Sequence, residues 1–482
     1  MKNSKGLVAN LSWKFAERIS AQIVTMVVSI VLARLLEPSH YGIISIVTIY
    51  ITLANVFVSD GFGSALIQKK DADALDFSSV LYFNIAFSIV LYIILWVCAP
   101  YIASFYGAGY EMLTPVLRVL SLRLILSAIN SVQQAYVSRN MMFEKFFWAT
   151  LIGTVTSAIV GIALAYQGYG VWALVAQYMT NTTIDTIILQ LSLNKWPLLK
   201  FSKYRLKNLL GYGSKILGSS LLITGYQEVR ALIIGKIYSS EDLAFYDKAK
   251  QFPNIIVTNI NSSLSAVLFP KMSQLQDNIG EVKQITRKSI RFGSYILCPI
   301  MLGLAAVSHP VITILLTEKW LPCVPLMQIL CVNSMCMPLH TANMQAIKAM
   351  GRSDITLKIE IVKKTIELIV LLSVMRISVS AIVIGMAACS ISFIFVNAFP
   401  NIKLINYSIK EQLGDLLPNL LISFAMAFSV YCIGRIQINV YILLLVQIVS
   451  GVIIYVLLSA SFKIDEFYYI KNMLLEKIKR KQ

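Results

Sequence analysis

Long apolar stretches recur from one end of this 482-residue chain to the other. About fourteen of them approach or exceed the roughly 18 residues that a helix needs to cross a lipid bilayer. Hydrophobic residues make up 57% of the chain, whereas charged residues make up only 14%. A water-soluble protein of this size could not hide so much apolar surface in one core. The sequence therefore predicts an all-α integral membrane protein.

Short connections separate the predicted helices, whose boundaries are approximate. The helices are expected at 12–34, 41–59, 77–99, 111–137, 146–166, 170–193, 209–235, 241–268, 289–315, 322–348, 354–375, 379–400, 415–434 and 438–460. The first stretch has no small-residue cleavage site and further spans follow it, so we do not expect a cleavable signal peptide.

The net charge of +18 is concentrated in every second connection. Lys and Arg are frequent in the segments 68–76, 194–207, 270–288, 401–415 and 477–482. The alternate connections are short and nearly devoid of basic residues. Because basic residues favour the cytoplasmic side of a membrane, both termini are predicted to be cytoplasmic. The excess charge then anchors the topology and attracts anionic lipid headgroups, so no nucleic-acid partner is expected.

The cysteines and glycines give no sign of a metal site, a disulfide framework or a nucleotide site. The seven cysteines form no C-x-x-C pair, and no G-x-x-x-x-G-K-[ST] phosphate loop is present. We therefore expect no metal, no cofactor and no ATPase activity.

An internal repeat divides the predicted helices into two sets. The segment 33–44 aligns with 235–246, and 64–70 aligns with 266–272, at the same offset of about 200 residues. We interpret this as two six-helix lobes, 11–194 and 209–400, joined by a basic cytoplasmic linker at 195–208. Since each lobe has an even number of spans, the lobes are predicted to be related by a pseudo-two-fold axis along the membrane normal. The remainder is predicted to be an accessory helix pair, 415–460, and a basic cytoplasmic tail, 461–482.

Polar side chains repeat at helical spacing inside several apolar spans. In the first predicted helix, Lys14, Arg18, Gln22 and Thr25 share one face. Such a face cannot contact lipid, so it must form a hydrogen-bonded seam with another helix or line a hydrated cavity. Similar stripes at matching positions of both lobes favour a shared hydrophilic cavity.

These stripes supply the candidate substrate-binding residues. The cationic candidates are Arg18, Arg118, Arg123, Lys215, Arg230, Lys248 and Lys250. The candidate polar lining is Gln22, Thr25, Asn130, Gln134, Gln251, Asn254, Thr258 and Asn261. Arg can bind two phosphate oxygens at once, and amides and hydroxyls can bind sugar. The predicted cavity therefore suits a large, anionic, hydroxyl-rich substrate.

Three acidic residues in or beside the spans are candidates for ion or proton coupling: Glu17, Asp185 and Asp247. Ionisable groups within membrane helices often carry protons or ions. For Asp185, the alternative is a hydrogen-bonded structural role.

Four motifs carry a resemblance to a known family: LARLLEPSHYG (32–42), DGFGSALIQKK (60–70), MMFEKF (141–146) and GYGVWALVAQYM (168–179). With the fourteen-span plan, they resemble the polysaccharide-export, Wzx-type branch of the multidrug/oligosaccharidyl-lipid/polysaccharide (MOP) flippase superfamily, which includes lipopolysaccharide biosynthesis proteins. The resemblance implies rocking lobes that move an undecaprenyl-pyrophosphate-linked oligosaccharide across the bacterial cytoplasmic membrane. It also implies ion or proton coupling in some members, and a polymerase and glycosyltransferases are possible partners. Members of this family tend to carry cationic side chains in the cavity, and among the candidates here Arg18 matches that tendency best.

Three alternatives remain open. A lipid II flippase and a multidrug or cation antiporter belong to the same superfamily, although the basic stripe of the first helix argues against the antiporter. A membrane polysaccharide polymerase or ligase belongs to another class. The longest predicted outer loop has only about a dozen residues, which is short for such an enzyme, so we expect a transporter rather than an enzyme.

Overall fold

The computed structural model describes residues 2–69, 71–107, 109–193 and 200–479, and this part of the chain is helical without any β-strand. The helices up to residue 237 are α1 (Lys2–Leu35), α2 (Pro38–Gln68), α3 (Ala74–Tyr106), α4 (Leu113–Leu120), α5 (Arg123–Arg139), α6 (Phe143–Tyr166), α7 (Val171–Ser192) and α8 (Lys203–Ile237). The later helices are α9 (Ser240–Gln274), α10 (Ile279–Ala306), α11 (Ser308–Leu315), α12 (Cys323–Met335), α13 (Met337–Ala349), α14 (Ser353–Val374), α15 (Val379–Leu404), α16 (Ile409–Ile433), α17 (Val440–Ser461) and α18 (Asp465–Lys479). A 3₁₀ turn, Glu318–Trp320, precedes α12.

Each stretch predicted to be helical contains one or two α-helices. Three predicted spans are each built from two consecutive helices, which join at 121–122, at Val307 and at Cys336. The tail after residue 461 contains α18, a helix that the sequence analysis does not predict. Eleven candidate spans in the described residues are long and apolar enough to cross a membrane. The other three predicted spans, α7, α8 and α14, carry more polar residues, so fourteen crossings remains a prediction.

Local sequence signals explain where several helices begin. The Asp73 side chain accepts hydrogen bonds from two backbone N–H groups at the start of α3, and Ser408 accepts one from Glu411 at the start of α16. Pro38 occupies the first position of α2, where a helix does not need a backbone N–H donor. Such caps satisfy backbone donors that have no partner within the helix.

Two compact units divide the chain, Met1–Ala244 and Phe245–Gln482. The first unit contains α8, which packs against α2 and α3. Packing and internal repetition are different criteria, so the repeat-based lobes and their linker stay a prediction. Residues 195–199 of that linker lie outside the described residues.

Glycines allow close helix packing in the first unit. A Cβ atom at Gly42 would lie 1.9 Å from the carbonyl oxygen of Ser240, and one at Gly153 would lie 3.2 Å from that of Asn181. Gly42 therefore brings α2 against the start of α9, and Gly153 brings α6 against α7.

An ionic cluster ties the first unit together at the end that is predicted to be cytoplasmic. The buried Asp76 carboxylate lies 2.7 Å from Lys69 Nζ and 3.3 Å from an Arg205 guanidinium nitrogen, and Asp73 lies 2.7 Å from the same nitrogen. The loop contains an Asp-x-Asp sequence, Asp71–Asp73, an acidic motif of the kind that the polymerase alternative would need. Asp73 is engaged as a helix cap and in an ion pair, which is a structural role.

The second unit has a comparable cluster at its predicted cytoplasmic end. Lys283 pairs with Glu411 at 2.8 Å, and Arg287 pairs with Asp415 at 2.7 Å. These pairs join α10 to α16, so the predicted accessory helices pack within this unit. Arg291 of α10 also pairs with Asp465 at 2.7 Å, which fixes the start of α18.

Candidate functional site

Helix α1 presents two opposite faces. Val28 and Leu32 are buried. Ile23 and Val27 are exposed and apolar, with 59% and 54% of their surface accessible, as expected for positions that contact lipid. Arg18 and Thr25 are also exposed, but at 3.6 residues per turn they lie on another face of the helix. The polar residues of α1 thus form an exposed stripe opposite Ile23 and Val27, and further along the helix the same side carries the buried Leu32.

Arg18 differs from its charged neighbours because they are engaged. Lys14 Nζ lies 3.0 Å from Glu17 and 4.9 Å from the centre of the Phe146 ring on α6. Among the described residues, no ion pair or hydrogen bond includes Arg18. Arg18 is therefore an exposed cation in a helix that is otherwise apolar enough to cross a membrane.

Helices α5 and α7 meet in a hydrogen-bonded seam. Arg123 Nε donates to Thr182 Oγ1 at 3.0 Å, and its guanidinium group lies 5.3 Å from the centre of the Tyr178 ring. Gln133 donates to Gln190 at 2.8 Å. For Arg123 the geometry matches a helix–helix contact, the alternative left open by the sequence.

Asp185 occupies the middle of this seam. Its Oδ2 atom accepts a hydrogen bond from Asn130 Nδ2 at 2.8 Å, whereas its Oδ1 atom is buried without a partner among the described residues. Glu17 of α1 is close enough for its charge to act on Asp185. Asp185 is thus a partly satisfied carboxylate within the helix packing of the first unit.

A polar cleft of about 490 Å³ lies between α2, α5 and α8. Its lining consists of Asn55, Ser59, Ser127, Asn130, Ser131, Gln134, Ser138 and Ser220, with Gly63, Ile67 and Ala135. This volume falls within the roughly 300–1,000 Å³ typical of small-molecule sites. The structure thus brings two predicted lining residues, Asn130 and Gln134, to one cleft, and none of the described lining residues is charged.

The other predicted cations of the first unit have different surroundings. Arg118 lies over the ring of Trp96, 4.0 Å from its centre, and donates to the Trp96 carbonyl oxygen at 3.2 Å. Trp96 is 44% exposed on α3, so Arg118 packs on an outward-facing aromatic ring. Arg230 is half-buried on α8, and the side chain of Lys215 lies outside the described residues.

Helix α9 carries the predicted site residues of the second unit. Lys248 is buried, donates to Gln251 Oε1 at 3.3 Å and lies 5.8 Å from the centre of the Trp320 ring. Lys250 lies 3.9 Å from Asp247 Oδ1. These cations are engaged within their own unit.

The polar stripe of α9 continues along the helix in two parts. Asn254 and Thr258 are exposed, whereas the Asn261 side chain accepts a hydrogen bond from Thr341 of α13. The stripe therefore combines an exposed segment with a helix–helix contact.

Two groups of polar residues were missed from the sequence. One is Asn55 and Ser59, whose spacing of four places them on one face of α2. A buried network in the second unit joins α13, α15 and α16. Its bonds are His340–Asn397 at 2.8 Å, Asn401–Asn343 at 2.7 Å and Asn343–Gln412 at 2.8 Å. No group of three or more possible metal ligands occurs in the described ranges.

Residues 31–325 match the model of a family described as "Polysaccharide biosynthesis protein". The chain belongs to this polysaccharide biosynthesis protein family. It is 23% identical over 354 residues to the teichuronic acid biosynthesis protein TuaB of Bacillus subtilis, covering 73% of each chain. It is 24% identical over 331 residues to the succinoglycan biosynthesis transport protein ExoT of Rhizobium meliloti, covering 69% of this chain and 67% of the relative.

Solved structures show the same fold as this polysaccharide biosynthesis protein. The lipid II flippase MurJ in an inward closed conformation aligns with a TM-score of 0.75 at 15% identity, covering 94% of this chain and 99% of MurJ. The predicted membership of the MOP flippase superfamily is therefore confirmed, and the chain is a multi-pass membrane protein of that superfamily.

Proposed function

We propose that this protein moves an undecaprenyl-pyrophosphate-linked oligosaccharide from the cytoplasmic to the outer leaflet of the bacterial cytoplasmic membrane. The substrate serves the synthesis of a surface polysaccharide such as O-antigen, capsule or exopolysaccharide. The two repeat-based lobes rock around the substrate pathway, and both termini are cytoplasmic. The names of TuaB and ExoT, which refer to polysaccharide biosynthesis and transport, support this class of substrate.

The observation that carries the proposal is the exposed Arg18 on α1, which no described residue engages. Arg18 lies two residues inside the start of the candidate span Ala16–Leu35, and a cation that faced acyl chains there would be costly unless its side chain reached the membrane surface. That cost is avoided if the Arg18 face lines water, where its guanidinium group can bind two oxygens of a passing pyrophosphate. Arg123, Arg118 and Lys248 are engaged with protein groups. We therefore assign contact with the pyrophosphate of the substrate to Arg18.

A lipid II flippase is the second candidate, because the fold is that of MurJ. At 15% identity the likeness concerns the fold alone, whereas the family match and the relatives' names concern polysaccharides. A glycan that the cell exports is therefore the favoured substrate. A polymerase and the glycosyltransferases that build the glycan are the proposed partners.

Asp185 and Glu17 are the proposed coupling groups of the first unit. Asp185 Oδ1 has no hydrogen-bond partner among the described residues, and the negative charge of Glu17 acts on Asp185. Both features favour binding of a proton or cation at Asp185. Asp247 is the proposed counterpart in the second unit.

Translocation in liposomes tests the function directly. The purified full-length protein is expected to move a fluorescent polyprenyl-pyrophosphate oligosaccharide between leaflets without changing its length. Protein-free liposomes give the background rate, and lipid II is the competing substrate. Faster movement of lipid II would favour the second candidate, whereas a lengthened glycan would establish an enzyme. An imposed proton or sodium gradient that leaves the rate unchanged would refute coupling through Asp185.

A further inference from the structure

An apolar groove of about 470 Å³ lies between α16 and the end of α17. Its lining comes from 414–425 of α16 and from 458–464, and each lining residue is Gly, Ala, Pro, Leu, Ile or Phe. At 1.5 Å per residue, the stretch 414–425 is about 16 Å long. Since the hydrocarbon core of a bilayer is about 30 Å thick, the groove has the depth of one leaflet.

The groove lies on the side of α16 that faces away from α10. On the opposite side, Asn419 donates to the Arg291 carbonyl oxygen at 2.9 Å, which packs α16 against α10. On the groove side, Leu417 and Leu421 are 51% and 58% exposed. Exposed apolar side chains of a membrane span face acyl chains rather than water. A lipid of the bilayer is therefore the molecule that the groove fits.

Two exposed lysines lie at the end of the groove that is predicted to be cytoplasmic. Lys410 is four residues before Gly414, so it lies on the groove side of α16. Lys463 lies between Phe462 and Ile464, which both line the groove. Among the described residues, neither lysine has an ion pair or a hydrogen bond. Both lie just outside the predicted spans, at the level of lipid headgroups.

The backbone of Lys463 adopts a conformation that favours glycine. Its φ angle is +51°, in the left-handed region where a Cβ atom is crowded. The N–H groups of Lys463 and Ile464 donate to the carbonyl oxygens of Ala460 and Ser459 at 3.2 and 3.0 Å, an arrangement that ends helices and in which glycine is preferred. A lysine here carries a conformational cost. An anion beside its ammonium group would offset that cost, and no described residue supplies one.

We propose that this groove binds an anionic phospholipid of the cytoplasmic leaflet, with an acyl chain between α16 and α17 and the phosphate at Lys410 and Lys463. The site offers apolar surface to the depth of one leaflet and then positive charge, which matches the two parts of this molecule. A zwitterionic phospholipid would bring its own cation beside the lysines. Because Arg291 holds the start of α18 just after Lys463, the bound lipid would join α16, α17 and α18. The site goes beyond the proposed transport and does not depend on it.

Competition between two lipids tests the site on the purified full-length protein in detergent. Phosphatidylglycerol and phosphatidylcholine with identical acyl chains are supplied in equal amounts, and bound lipids are counted by native mass spectrometry. The wild type is expected to retain phosphatidylglycerol preferentially. Phosphatidylglycerol should also raise its melting temperature more than phosphatidylcholine does, because a ligand of the folded state stabilises that state. Lys410→Ala should weaken phosphatidylglycerol binding about fivefold, as expected for one lysine near an anionic headgroup.

Lys463→Gly separates lipid binding from folding, because its two effects have opposite directions. Glycine removes both the ammonium group and the crowded Cβ atom. The variant should therefore melt at a higher temperature than the wild type in phosphatidylcholine, yet bind phosphatidylglycerol about fivefold more weakly.

Gly414→Leu tests the groove independently of charge. Among the described residues, nothing lies within 4 Å of a Cβ atom at Gly414, so the leucine side chain can occupy the groove without a clash. This variant should lower retention of both lipids. Lys358→Ala, which removes an exposed lysine from α14, is the control and should bind both lipids as the wild type does.

Several results would overturn the site. Equal retention of the two lipids by the wild type would remove the role of the headgroup, and wild-type binding in Lys463→Gly would remove that of Lys463. A loss in Lys358→Ala as large as in Lys410→Ala would indicate a general effect of charge. Displacement of phosphatidylglycerol by a polyprenyl pyrophosphate would assign the groove to the transported lipid instead, and displacement by inorganic phosphate would leave only an anion site.

Discussion

Arg18→Ala is expected to lower translocation of the lipid-linked glycan at least about tenfold while the protein stays folded and inserted. A charge-assisted hydrogen bond contributes about 1.5–3 kcal/mol, and 1.4 kcal/mol corresponds to a tenfold change in affinity. Since no described residue pairs with Arg18, its removal leaves no buried group without a partner. The measurement is the rate in liposomes, with the melting temperature recorded for the same preparation.

Matched variants make this result specific. Arg18→Lys keeps the charge but cannot contact two phosphate oxygens with one planar group, so an intermediate rate is expected. Arg376→Ala removes an exposed Arg from the connection between α14 and α15 and should translocate normally. A wild-type rate in Arg18→Ala would exclude Arg18 from the mechanism. An equal loss in Arg376→Ala would indicate a nonspecific effect of charge.

Gly42→Ala is expected to prevent accumulation of folded protein. The new Cβ atom would lie 1.9 Å from the Ser240 carbonyl oxygen and 2.3 Å from its carbonyl carbon. Both contacts are with backbone, which cannot rotate away as a side chain can, so α2 and the start of α9 would have to separate. Overpacking commonly costs about 1–3 kcal/mol, and a backbone overlap of this depth exceeds that range. The readout is the yield and melting temperature of monodisperse protein in detergent.

Gly218→Ala is the control for this prediction. Among the described residues, nothing lies within 4 Å of a Cβ atom at Gly218, which sits inside α8. Alanine there should be neutral or stabilise the helix by up to about 1 kcal/mol. Normal folding of Gly42→Ala would show that α2 does not approach Ser240 as closely as the structure indicates.

The helices could be predicted from sequence because a bilayer demands long apolar stretches whatever their neighbours. The break at Ser121–Leu122 was not predictable in this way, since neither residue is a Pro or Gly. The α18 helix was missed because it is short and amphipathic, and its start depends on an ion pair with Arg291, far away in the sequence.

The site was only partly predictable, for a different reason. Helical spacing shows which residues share a face, but it does not show what that face meets. Arg18 and Arg123 look alike in sequence, yet one is exposed and the other is bound to Thr182. Asn55 and Ser59 were overlooked because their spacing of four places them on one face of α2 but does not show that neighbouring helices leave a cleft beside that face.

Water access to the Arg18 face of α1 tests the central claim most directly. Thr25→Cys and Ile23→Cys place thiols at two exposed positions on different faces of the helix, in a background with the exposed Cys432 replaced by Ser. Thiols react as thiolates, which form only where water reaches them. The account predicts that a charged, membrane-impermeant maleimide labels Thr25→Cys but not Ile23→Cys, and that the lipid-linked glycan protects Thr25→Cys. Equal labelling of both positions, or labelling of Ile23→Cys alone, would contradict it.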